Sequence, residues 1–487
     1  MQQPNHRISA PLLCAALAFG LLGSAKGLDE GLIATTVTLP SFIREYGLDS
    51  SSLSASQAAN RLSTITSMVH LGSLPGAWIA YLCSDRIGPL WTMRQFCTLW
   101  IVGVVIVITS AGSQPCLTAG RFIMGVGIGQ AGIVAPTYLA EVAPARHRGM
   151  FVGIFSVSEY IGLVIGYSAG YGASIHQPKH SSRQWILPQS SQIIVAGLLL
   201  LISFGCVDSP RYMCKAQRPE QAIEALCRLR QLPLDNPAIT HEIQMMQAEL
   251  ASEQHQQPRT FLAPWKRLFG QPANRARMAF LLAAQLLSQW SGMNAITTYA
   301  PKFFSLLGLA STRAKLLSTT FLGVIKLIAA LLCAVFFIDR IGRKRSLIVG
   351  ITIQLLALLY IAIYLTVPES SRSSDTGAAV VAIGCIYTAG IGYAFGWNTV
   401  QYLLNAETLP SSVRTLGTSL LMCVHYANRF ALTKAVPSMM LDTALRPNGT
   451  FWFFAAMALL GALWAGVLLP ETACRELEEA SGSGVWS

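Results

Sequence analysis

Apolar stretches long enough to cross a bilayer, roughly 20 residues each, recur from one end of this chain to the other with short polar breaks between them. The pattern predicts helices over 12–38, 62–83, 95–111, 117–140, 149–173, 186–206, 276–300, 314–338, 347–366, 377–402, 415–438 and 450–469, about twelve transmembrane spans by length. Residues 8–25, where Arg7 precedes Leu12, Leu13, Ala15, Leu17 and Phe19, could be taken for a signal peptide. Apolar character resumes at Ile33, so the stretch reads as the first span. One long polar interruption, 207–275, carries Pro210, Pro219, Pro233, Pro237, Pro258 and Pro264. Its stretch from Glu220 to Arg230 is amphipathic, with apolar Ile223, Leu226, Cys227 and Leu229. The expected organisation is a six-helix bundle over 1–206, a linker with short surface helices over 207–275, a second six-helix bundle over 276–470 and a tail over 471–487.

Composition agrees with lipid as the solvent: 52% of residues are hydrophobic, 12% charged, and the mean hydropathy is +0.47, far from an average soluble domain. The net charge of +12 does not change this picture. The basic residues sit in loops between apolar segments, without a patch interleaved with stacking aromatics, so no nucleic-acid partner is expected. The 11 cysteines form no C-x-x-C and no metal spacing, and Cys97, Cys333 and Cys423 lie inside apolar runs as packing residues. No Walker loop, nucleophile elbow or H-E-x-x-H occurs, so the sequence supports neither ATP-driven pumping nor an enzyme, and no metal or cofactor is expected.

The halves repeat in literal letters. Asp85-Arg86-Ile87-Gly88 follows the second span and Asp339-Arg340-Ile341-Gly342 the eighth; Glu141-x-x-Pro144-x-x-x-Arg148 follows the fourth and Glu407-x-x-Pro410-x-x-x-Arg414 the tenth. Two motifs in the same order at matching places predict an all-α membrane protein of two pseudo-symmetric bundles with a solute site between them. Lys and Arg number about 21 in the termini and even-to-odd loops against about 9 in the others, which favours cytoplasmic termini, although about ten of the 21 belong to the long segment and count poorly.

These motifs resemble the sugar-porter branch of the major facilitator superfamily over nearly the whole chain. Gly27-Leu28-Asp29 resembles the family's Gly-aromatic-Asp, and Arg121-x-x-x-Gly125-x-Gly127, running on to Pro136-x-Tyr138-x-x-Glu141, its fourth-helix motif. Asp208-Ser209-Pro210-Arg211 is similar to its Pro-Glu-Ser-Pro-Arg, and Pro470-Glu471-Thr472 to the motif closing the twelfth helix. Gln285 to Asn294, with Tyr299 and Pro301, resembles its seventh-helix sugar-contact stretch. Asp29-Glu30-Gly31-Leu32, Gly323-Val324-Ile325-Lys326 and Phe395-Gly396-Trp397 are most similar to fungal quinate-permease-like members. The resemblance implies the major facilitator fold, both repeat loops and both termini in the cytoplasm, and a plasma-membrane carrier working as a monomer. Pro89-Leu90, in place of two basic residues, departs from the pattern. So do Asn398-Thr399-Val400-Gln401-Tyr402, in place of Gly-Pro-x-Pro-Trp, and Ser156 and Ser288, where sugar carriers have Gln; ordinary hexose transport is not implied.

Charges inside predicted spans, Lys26, Asp29, Glu30, Arg121, Glu159, Lys326, Arg429 and Lys434, are site candidates because each costs several kcal/mol unless paired or facing water. Lys26 and Lys434 are expected to snorkel toward the headgroups. The resemblance sets Asp29 beside Arg121, as in proton-coupled members. A guanidinium and an apolar wall act oppositely on a carboxyl group's hold on its proton, so Asp29 is the expected proton site, Arg121 its counter-charge and Glu30 a rival. The solute pocket is expected where the seventh helix is interrupted: Gln285, Ser288, Gln289 and Gly292 share one helical face, with Asn294, Tyr299, Tyr402 and Ser156 added by family position. Lys326 stands where the resemblance puts a sugar-contacting amide, and Arg429, beside Asn428 and His425, could fork onto a carboxylate. A carboxylate-bearing solute such as quinate or a sugar acid follows; the competing reading has Lys326 neutralise Glu159 around a neutral polyol. A cytoplasmic gate is expected from Asp85, Arg86, Glu141, Arg148, Asp339, Arg340, Glu407 and Arg414, with the two aspartates near helix N-termini and the arginines bridging to the glutamates. An exporter of an acidic metabolite, or a nutrient sensor on a carrier fold, are the alternative functions.

Overall fold

The structure, a computed structural model, describes residues 9–48, 53–144, 148–255, 263–334, 342–368 and 376–469; within these, the side chains at 85, 148, 238, 249–255, 399, 402, 403, 406, 407, 411 and 412 are not described. Twelve spanning helices form two bundles. The first holds α1 (Ala10–Thr36), α2 (Ala55–Ile87), α3 (Pro89–Ile108), α4 (Gln114–Val142), α5 (Arg148–His176) and α6 (Arg183–Ser203). The second holds α7, which begins as Pro272–Trp290, then α8 (Thr312–Leu332), α9 (Arg343–Thr366), α10, which begins as Thr376–Tyr393, α11 (Ser411–Met439) and α12 (Arg446–Leu468). Each bundle has its own apolar core, with Phe19, Trp100 and Phe155 in one and Leu281, Ile351 and Phe454 in the other. Leu198 and Leu201 of α6 and Leu463 and Val467 of α12 are exposed, as lipid-facing residues must be.

Local chemistry sets the helix ends. Helix α2 starts seven residues ahead of its apolar stretch because Ser54 and Gln57 close a capping box, the Ser54 side chain accepting from Gln57 N–H and the Gln57 side chain from Ser54 N–H. The repeated motif ends on Gly88 and Gly342, which precede α3 and α9 with φ of 87° and 94°, a conformation that only glycine takes without strain.

Among the described residues nine helices are long and apolar enough to be recognised as spans by composition. The other three, α2, α7 and α11, carry buried polar groups such as Ser63, Thr66 and His70, Gln285 and Gln289, and His425 and Arg429. They are polar because they face the protein's interior, and α2 packs on α11 across the two bundles, as α5 packs on α8. Between the bundles run four short helices, Pro210–Lys215, Pro219–Arg230, Pro237–His255 and Ala263–Gly270. Ala222, Ala225, Leu226 and Leu229 form the buried face of the second, and Ser9 donates to the Leu229 carbonyl to tie it to α1.

Candidate functional site

Two interrupted helices frame the centre. At Gly292, α7 breaks with φ of 84° and resumes as Met293–Thr298 and Ala300–Leu306; a Cβ there would lie 2.3 Å from the Phe454 ring, so no other residue fits. Helix α10 widens into a π-helical turn at Ala394–Asn398 and continues as Thr399–Thr408, a bulge that frees backbone and re-aims side chains.

Seven charged residues, none more than 6% exposed, gather around the middle of α1: Lys26, Asp29, Glu30, Arg121, Glu159, Lys326 and Arg429. Lys26 Nζ meets Glu159 Oε1 at 2.8 Å. Arg121 clasps Asp29 with Nη1 to Oδ1 at 3.1 Å and Nη2 to Oδ2 at 3.3 Å, and Arg429 pairs with Glu30. Lys326 is the remaining cation. Its Nζ donates to Thr297 Oγ1 at 2.8 Å and lies 4.9 Å from the Tyr160 ring centre and 5.7 Å from that of Tyr393; it forms no ion pair among the described residues. A small cavity opens beside this cluster, lined by Lys26, Asp29, Glu30, His70, Ser73 and Tyr426 among others.

The second bundle contributes a wall of amides. Gln401 of α10 donates to Gln285 and, at 3.0 Å, to Ser288 Oγ. Gln285 Nε2 donates to Asn405 at 3.3 Å, and His425 Nδ1 lies 3.0 Å from Gln285 Oε1 and 3.2 Å from Gln289 Nε2. Asn294 Nδ2 donates to Gln289 Oε1 at 2.7 Å and to the Tyr393 hydroxyl at 2.9 Å. Tyr299 joins the bundles instead, within 2.6 Å of Thr66 and donating to the Thr433 carbonyl at 2.7 Å.

Several expectations need correction. Lys26 does not snorkel: it is held in the buried pair with Glu159, which also removes Glu159 as a direct partner of Lys326. Lys434 binds Asn60 Oδ1 at 2.7 Å at the rim. Arg429 is not an open fork, since Glu30 occupies it. Asp85 lies in the last turn of α2 (Ala55–Ile87) rather than at a helix N-terminus; among the described side chains Asp208 serves the start of α3, its Oδ1 accepting Leu90 N–H at 3.3 Å. Arg86 is exposed and forms no ion pair among the described residues. Glu141 accepts a hydrogen bond from Ser209, and Arg414 Nε donates to the Leu409 carbonyl at 3.2 Å. Asp339 and Arg340, and the side chains of Asp85, Arg148, Tyr402 and Glu407, lie outside the described residues. Ser156 is buried on α5, three and four residues before Glu159 and Tyr160.

Sequence reasoning missed His70, Tyr160, Thr297, Tyr393, Gln401 and Asn405. Gln401 was accessible, as a polar residue inside the predicted span 377–402, whereas Asn405 fell beyond that span's predicted end and shares its face only because the helix runs on to Thr408. The tyrosines carry no signal in a single sequence, since aromatic residues in apolar helices are ordinarily core.

The family model described as Sugar (and other) transporter matches residues 13–482. A quinate permease of Neurospora africana is 30% identical over 475 residues, covering 96% of this chain and 87% of its own length. A probable quinate permease of Aspergillus fumigatus is 30% identical, with 92% and 82% covered. Among solved structures, the proton:xylose symporter XylE bound to 6-bromo-6-deoxy-D-glucose superposes with a TM-score of 0.83 at 23% identity, covering 99% of this chain and 100% of that one. XylE from E. coli in a partially occluded inward-open conformation gives 0.79 at 21% identity, with 96% and 100% covered.

Proposed function

This chain belongs to the sugar (and other) transporter family of the major facilitator superfamily, and on that premise we propose that it carries a cyclic polyol bearing a carboxylate, such as quinate or a sugar acid, in symport with protons. Its membership makes it a multi-pass membrane transporter and not an enzyme. The observation that carries the solute reading is the charge balance at the centre. Four buried cations stand against three buried carboxylates, and the cation without a carboxylate partner among the described residues is Lys326. A surplus buried charge is unfavourable unless a counter-ion joins it, and a solute carboxylate supplies one. The amides Gln285, Gln289, Asn294 and Gln401 suit the hydroxyls of the ring, and Thr297 and the two tyrosines hold the ammonium toward them. Similarity to quinate permeases supports the same class.

Asp29 is the proton site and Arg121 its counter-charge, with the bidentate clasp as the deprotonated arrangement. The linker face, with both termini, lies in the cytoplasm of a plasma-membrane monomer; there Glu141 and Ser209 belong to the gate with the repeated loops. Competition for uptake in vesicles by quinate, galacturonate, glucose and inositol, each with and without a pH gradient, tests this directly. Quinate or galacturonate should compete best, and only with the gradient should the solute accumulate. A neutral winner would overturn the solute reading in favour of a polyol carrier, for which the amide wall alone would suffice.

A further inference from the structure

The ion pair between Glu30 and Arg429 crosses from the first bundle to the second, α1 to α11. We propose that Glu30 is an internal stand-in for the solute: its carboxylate occupies Arg429 in the empty carrier, and the solute carboxylate replaces it there on binding. This rests on the reading of the solute as an anion. Arg429 and Lys326, both of the second bundle, each act electrostatically on Glu30, so an arriving carboxylate that meets Lys326 competes with Glu30 for the neighbouring guanidinium.

The exchange leaves no charge stranded. Lys26 lies one helical turn before Glu30 on the same face of α1, and an ammonium has three donors. Lys26 holds Glu159 Oε1 at 2.8 Å and also acts electrostatically on Glu30. Displaced Glu30 turns to Lys26, which serves both glutamates. Counting the bound solute, and before Asp29 takes its proton, four cations then face four carboxylates. Breaking the buried ion pair between Glu30 and Arg429 with no other carboxylate to take its place is strongly unfavourable. The empty carrier therefore keeps Glu30 on Arg429 whenever the bundles close without solute, and this allows it to return empty.

Glu30→Gln and Glu30→Asp test the exchange in the full-length protein, reconstituted in phosphatidylcholine nanodiscs for binding of labelled quinate and in vesicles for transport. If Glu30 holds Arg429 in about nine-tenths of empty carriers, Glu30→Gln tightens quinate binding about tenfold, and Glu30→Asp, too short to reach as well, tightens it by a smaller factor. Net uptake falls in Glu30→Gln while quinate-for-quinate exchange persists. Quinate affinity that is unchanged or weakened in Glu30→Gln overturns the stand-in role, and should that variant not fold, wild-type affinity in Glu30→Asp does so. A wild-type protein that binds inositol but no carboxylate would instead remove the solute reading beneath it.

Discussion

Arg121 holds both carboxylate oxygens of Asp29, at 3.1 Å and 3.3 Å, with neither side chain more than 3% exposed. Such a closed pair either is structural or opens during transport, and the two cases separate experimentally. With Asp29→Asn, accumulation driven by an imposed pH gradient should fall to the level reached without one, while downhill equilibration continues. Asp29→Ala should in addition destabilise the protein by roughly 3–5 kcal/mol, the usual cost of stranding one half of a buried pair, seen as a lower unfolding midpoint. Full gradient-driven accumulation in Asp29→Asn would show the pair to be structural.

Lys326 is the second test. An ammonium already oriented by Thr297 at 2.8 Å and two tyrosine rings needs little reorganisation to meet an anion. Removing a charge-assisted hydrogen bond costs about 1.5–3 kcal/mol, so Lys326→Ala should weaken quinate binding by roughly 10- to 100-fold and leave inositol binding within a factor of about two. Quinate affinity that does not move would show that the carboxylate sits elsewhere.

The fold was legible because the bilayer imposes one rule, that apolar helices of a fixed minimum length span it. Even α2, α7 and α11, not among the nine helices apolar enough to be recognised by composition, show in the sequence as stretches at 62–83, 276–300 and 415–438, and the paired motifs after the second and eighth and the fourth and tenth spans agree with that division. The partners of the buried charges were another matter. Periodicity puts Lys26, Asp29 and Glu30 on one helix but says nothing of which neighbours reach them. That Lys26 takes Glu159, and Arg429 takes Glu30, depends on how closely α1 approaches α5 and α11, a property of tertiary packing. The π-helical turn at Ala394–Asn398, which starts the segment carrying Gln401 and Asn405, leaves no mark in hydropathy either.

The approach of α1 to α5 makes a prediction about stability. A Cβ on Gly27 would lie 1.6 Å from the Glu159 carbonyl oxygen, and one on Gly162 would lie 2.2 Å from that of Ser24. Small residues on such seams let backbones touch. Gly27→Ala must therefore push α5 away, at the ~1–3 kcal/mol typical of overpacking or more, and pull Lys26 off Glu159. Gly172, also on α5, has nothing within 4 Å of its would-be Cβ, so Gly172→Ala should be neutral or stabilising by up to about 1 kcal/mol. Unfolding midpoints in detergent that rank the two variants alike would contradict this account of the seam.

At the linker face Asp208 makes a prediction about pH. Its Oδ1 accepts N–H groups from Leu90, in the first turn of α3, at 3.3 Å and from Ser209 at 3.0 Å, an acceptor at the positive end of a helix. Burial nevertheless wins, and raises the Asp208 carboxyl above its ordinary value of 3.8 against the hydrogen bonds and the nearby arginines. A folded state that holds the proton more tightly than the unfolded chain gains stability that is complete below the ordinary value and is lost as pH rises through the raised one. Asp208→Asn keeps both acceptor bonds and never ionises. The unfolding midpoint of the wild type relative to that variant should accordingly drop as pH is raised from about 4, the ordinary carboxylate range. Asp208→Ala, which loses the acceptor, should lie about 1 kcal/mol below Asp208→Asn, as a lost helix cap does, at every pH. A wild type that instead gains on Asp208→Asn with rising pH would mean that the helix end and the arginines outweigh burial.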